Sequence, residues 1–136
     1  MRQHKLVWLA LVAFLLAAAA SAREDRLTNT GLTPAAEGKV TTSNDRNGNT
    51  EIDVQVKHLA TPQSLTPAHQ NYLVWVQPRG QAAELLGALR VNSDLEGSLK
   101  ATTTHKDFDI LITAEDSMKA DTPSSSVILK GTVARK

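Results

Sequence analysis

Cysteine is absent from the 136 residues. That excludes disulfides, thiol nucleophiles, blue-copper centres and cysteine-ligated zinc together. A domain without such staples must rest on its hydrophobic core. Aromatic residues are also few, at 4%. Single-stranded nucleic acids and sugars are held on aromatic platforms, so the shortage speaks against both. Lys and Arg are scattered, and a phosphate backbone needs them clustered, so no nucleic-acid partner is expected. No Gly-x-Ser-x-Gly elbow occurs to expose a nucleophilic serine. No Asn-x-Ser/Thr acceptor occurs either.

What is present begins with an address. Arg2, His4 and Lys5 make a basic start, and Leu6 to Ala20 runs uncharged and apolar. Ala20-Ser21-Ala22 then offers the small-x-small pattern of a signal-peptidase site, and Arg23-Glu24-Asp25-Arg26 follows at once. The apolar run spans 15 residues, short of the roughly 20 needed to cross a bilayer. Residues 1–22 are therefore predicted to be a signal peptide cut after Ala22. The expected location is periplasmic or extracellular, with an uncleaved inner-membrane anchor as the alternative. Losing Arg2 and Lys5 leaves 13 basic against 14 acidic residues, a nearly neutral mature chain. The 114 residues that remain suffice for one domain with its own core.

Residues 23–37 are polar and lack apolar periodicity, which predicts a flexible linker. From residue 38 to 136 the pattern is one of short strands divided by turns. "KVTTS" is a strand, and "NDRNGN" a hairpin turn in which Asn-Gly supplies positive φ. "TEIDVQVKH" alternates, with Ile52, Val54 and Val56 facing inward. "LATPQSLTPAHQN" is a long connection. "YLVWVQ" follows, then "LLGALRV", with Leu85, Leu89 and Val91 on one face. The alternative over "QAAELLGALR" is a helix, but Gly87 interrupts it and no cap precedes it. "SLKATTT", "FDILITA" and "VILKGTVA" complete seven strands. Such spacing predicts an all-β fold, a seven-stranded antiparallel immunoglobulin-like β-sandwich after the signal peptide.

The strand "YLVWV" is apolar on both of its faces. Trp75 is expected in the core, which would leave Tyr72, Val74 and Val76 on the outer face, covered by the 59–71 connection or by a partner. The alternative exposes Leu73 and Trp75 as an aromatic anchor for a partner. Tyr72, Val74, Trp75 and Val76 are thus the candidate binding residues. The oxygen-bearing series Asp45, Asn47, Asn49 and Glu51 suggests calcium, but Thr50 and Val56 stand where an EF-hand needs glycine and glutamate. The hairpin reading is preferred. His58, His69 and His105 are dispersed, with no ligand-pair spacing, so no metal or cofactor is assigned. Glu115 and Asp116 are neighbours, which on a strand point to opposite faces and not into one cleft. No catalytic residue is assigned and no enzyme is expected.

Certain of these residues carry a resemblance. Tyr72-Leu73-Val74-Trp75-Val76 is followed by a turn at Gly80 and by Leu86-Gly87-Ala88-Leu89. Phe108, Ile110 and Ile112-Thr113-Ala114-Glu115 come later, then Pro123 and "VILKG". Over residues 71–131 this resembles the C-terminal extracytoplasmic domain of anti-sigma-K factors. That family places a "Y-x-x-W" strand before a Leu-Gly strand, a "Val-Thr-x-Glu" strand and a proline ahead of the final strand. Members carry a sigma-binding part and a transmembrane helix before this domain, where the present chain has a leader and a linker. Asp116-Ser117-Met118-Lys119 also replaces the family's glycine-rich turn. The resemblance therefore implies a β-sandwich in an extracytoplasmic setting, without sigma regulation. The function expected is an exported, non-catalytic domain that binds or senses a protein partner in the bacterial envelope. The alternative is a periplasmic metal or small-ligand binder using the histidines or the 45–51 loop.

Overall fold

Alternation decides most of the strands. In Thr50–Lys57 the buried positions are Thr50, Ile52, Val54 and Val56, and the residues between them reach toward water. The computed structural model describes residues 22–134, so the predicted signal peptide, but for Ala22, lies outside the described residues. Eight strands run in chain order: β1 Arg23–Asn29, β2 Glu37–Asn44, β3 Thr50–Lys57, β4 Asn71–Pro78, β5 Glu84–Val91, β6 Gly97–Thr103, β7 Asp107–Glu115 and β8 Val127–Ala134. A single 3-10 turn, Pro62–Ser64, sits in the connection between β3 and β4. Among the described residues no helix is long and apolar enough to cross a membrane.

The all-β expectation holds, and β5 is a strand, not a helix. The seven-stranded sandwich does not hold. The strands close into an eight-stranded antiparallel barrel in the order β1-β2-β3-β6-β5-β4-β7-β8. Two strands make the closure by changing neighbours along their length. β1 pairs with β2 through Arg23–Leu27, then with β8 through Thr28 and Asn29 alone. β5 pairs with β4 through Glu84–Leu89, then with β6 through Arg90 and Val91 alone. The barrel is thus two four-stranded sheets joined at corners by strands that switch sheets, a geometry whose side-chain alternation matches a sandwich.

Residues 23–37 are not a linker. β1 contributes only Leu27 to the core, which is why its sequence reads as polar. The segment after it is tied down by Asn29, whose Nδ2 donates to the carbonyls of Thr33 at 2.6 Å and Ala36 at 3.0 Å. Glycines permit close packing at the corners. A Cβ on Gly131 would lie 2.5 Å from Leu27 Cδ2, and one on Gly97 would lie 3.0 Å from Leu89 Cδ2. At both corners a leucine of the switching strand therefore lies on a bare backbone of its neighbour.

The barrel interior is filled. Val40, Ile52, Val54, Tyr72, Val74, Val76, Phe108, Ile110, Ile112, Leu129 and Val133 are among the side chains that pack there. Small barrels of this strand number are filled in this way or keep one ligand chamber, and here apolar side chains occupy the centre.

Candidate functional site

The doubly apolar strand β4 lies at the middle of its sheet, between β5 and β7. Tyr72, Val74 and Val76 point into the barrel, and Leu73 and Trp75 point to the outside of the sheet. This reverses the expected orientation. Tyr72, Val74 and Val76 form main core, and it is Trp75 that occupies the outer face. Trp75 nevertheless has no exposed surface. With Leu73 and Leu111 it forms a second, smaller core, flanked by Ala83, Ala88, Ala120 and Val127 from β5, β8 and the adjoining loops. Its indole Nε1 donates to Thr113 Oγ1 at 2.9 Å, so the buried N–H is satisfied. All four candidate binding residues are therefore buried, and none presents a surface to a partner.

Tyr72 also has a structural role. Its hydroxyl donates to the Ala60 carbonyl at 2.5 Å, holding the β3–β4 connection onto the barrel. Burial pushes its phenol up from 10.0 to about 12, because the phenolate would lose its water.

The histidines do not converge. His69 Nδ1 lies 3.2 Å from Asp116 Oδ1, joining the β3–β4 connection to the loop after β7. His105 Nε2 lies 3.2 Å from both oxygens of Glu84, across the diverging ends of β5 and β6. His58 follows β3 with a left-handed φ of 56°. Among the described residues no three His, Asp or Glu side chains group so as to hold a metal ion. The 45–51 loop is a hairpin turn in which Asp45 Oδ1 accepts the N–H groups of Asn47 and Asn49, both at 2.8 Å. One carboxylate oxygen is therefore already occupied by the chain itself. Glu115 and Asp116 part as expected: Glu115 accepts the Ser124 N–H at 2.9 Å, and Asp116 takes His69.

The features open to partners lie on the outer wall, and the sequence reading passed over them. A shallow groove of about 410 Å³ runs over β2, β3 and β6, lined by Thr41, Ser43, Glu51, Asp53, Lys100 and Thr102. A second, of about 400 Å³, lies where Met118 and the β3–β4 connection meet β5. Leu85 and Met118 are exposed apolar side chains, and Met118 lines that groove. Leu85 was expected inside with Leu89. A β-bulge in the β4–β5 ladder between Val74 and Trp75 places it opposite Trp75 on the outer face, and Leu86 packs against the main core in its stead. An isolated bulge leaves no mark in the apolar pattern, because two successive leucines satisfy either register.

No model of a known protein family matches the chain, and no curated protein matches it.

Proposed function

We propose that this chain is an exported, non-catalytic β-barrel domain that binds a protein partner in the bacterial cell envelope. The observation that carries the reading is the filled interior. A barrel whose centre is occupied by its own side chains has only its outer wall to offer a ligand, and outer walls suit macromolecular partners better than small molecules, which favour enclosed pockets. The leader and the resemblance of residues 71–131 to the extracytoplasmic domain of anti-sigma-K factors support the setting. The position of β1 supports it as well, since the strand starts at Arg23, directly after the proposed cleavage point. The barrel resting on its core without cysteine fits such a domain in an oxidising compartment, which permits disulfides but does not demand them.

The test is capture. The tagged protein, crosslinked gently in intact cells and recovered from envelope extracts, should bring down a reproducible partner. Recovery of the bare protein alone would overturn the proposal. N-terminal sequencing of the same material should read Arg23-Glu24-Asp25, and an intact Met1 would replace the exported form with an anchored one.

A further inference from the structure

The barrel is held shut at one corner by very little. β5 and β6 share only two residue pairs, Arg90 with Ser98 and Val91 with Gly97. Beyond them the strands part. Residues 84–89 of β5 continue to pair with β4 on one side, and residues 99–103 of β6 continue to pair with β3. Their facing edges share no ladder. Leu99 bridges part of the gap, its Cδ1 lying 3.3 Å from where a Cβ on Gly87 would stand. Side chains alone close the mouth, through Glu84 and His105 at 3.2 Å.

We propose that this seam is the docking edge for the partner, and that the partner enters as an extended, acidic-and-apolar strand added to β6. The proposal rests on the protein-binding reading given above and deepens it. Chemistry selects the occupant. An edge of unpaired N–H and C=O groups at strand spacing is complemented by another extended backbone. A strand pairing with β6 would alternate between two environments. Its inward side chains would meet Leu86 and Leu99, which are only partly buried and pack on the main core. Its outward side chains would meet Arg90 and Lys100, exposed at the rim and in no ion pair with another described residue. Asp53, the cross-strand neighbour of Lys100, lies on β3, away from the seam. Carboxylates on the incoming strand complement that rim, and the single Glu84–His105 contact, between an exposed and a partly buried side chain, can be displaced at small cost.

The experiment uses the purified protein with two short synthetic peptides, one alternating valine with glutamate and the other valine with lysine. Binding is read by fluorescence anisotropy, and amide hydrogen exchange locates it. The expected result is saturable binding of the glutamate peptide and slowed exchange confined to β5 and β6. Binding should weaken roughly tenfold in the Arg90→Glu/Lys100→Glu variant, because the rim charges are reversed. Both positions are exposed, so the variant keeps its fold, which circular dichroism checks. Equal binding of both peptides, slowed exchange elsewhere, or no binding overturns the seam proposal. If the same variant captures the envelope partner as well as the parent does, the protein-binding reading stands and the seam assignment falls.

Discussion

Tyr72 shows how one side chain can be both core and strap. Its ring fills the barrel and its hydroxyl holds Ala60. Replacing it by phenylalanine keeps the packing and leaves that carbonyl without its partner, at a cost of about 1 kcal/mol at neutral pH. The larger signature is alkaline. Its folded phenol titrates at about 12 against 10.0 for the free side chain. Below the lower value both folded and unfolded chains hold the proton, and the stability from the buried neutral phenol is whole. Above it the unfolded chain ionises first, so stability falls with rising pH until the folded group ionises too. Urea midpoints measured across this range should fall steeply for the parent and less so for Tyr72→Phe. Parallel curves would mean that other groups govern alkaline unfolding. That the strand was apolar on both faces could be read from Tyr72–Val76, but which face met the larger core could not. Each alternating set was large and apolar, and only the neighbouring strands distinguish them.

Two hairpins repeat one device. Asp45 and Asn92 each open a five-residue turn, and each accepts backbone N–H groups two and four residues ahead on its Oδ1. In both, the fourth residue adopts a left-handed φ, 79° for Gly48 and 58° for Leu95. Glycine occupies that conformation freely, whereas leucine is strained by roughly 1 kcal/mol or more. Leu95 is also exposed, so its side chain returns little packing energy. Leu95→Gly is expected to stabilise the protein by about 1 kcal/mol, raising Tm by about 4 °C, and Gly48→Ala to destabilise it by a similar amount. Calorimetry on the two variants checks the pair, and a fall in Tm for Leu95→Gly would show that the leucine is held by contacts that outweigh its strain. The first turn was legible because Asn-Gly declares itself. The second does not declare its backbone, since leucine does not advertise a left-handed conformation.

The closed barrel depends on a strand that looks like a linker. β1 pairs with β2 over five positions and with β8 over two, and it brings Leu27 onto Gly38 and Gly131. A chain beginning at Glu37 would lose that closure, expose the edges of β2 and β8, and forfeit about 2 kcal/mol for Leu27 alone. It should melt without a cooperative transition in far-ultraviolet circular dichroism, or aggregate through its open edges. A sharp transition at the parent's Tm would return residues 23–37 to the status of a dispensable lead.

Strand content, the inward row of β3, the hairpin at Asp45 and the absence of thiol chemistry are all determined by the sequence alone. They depend on local alternation, turn residues and composition, which operate within a few residues. Tertiary structure alone decided three things: that β1 belongs to the fold, that β1 and β5 each serve two sheets, and that Trp75 lies in a second core outside the barrel. Each depends on which distant strand lies alongside. A barrel and a sandwich have the same alternating faces, and here they differ by two short seams of two residue pairs each.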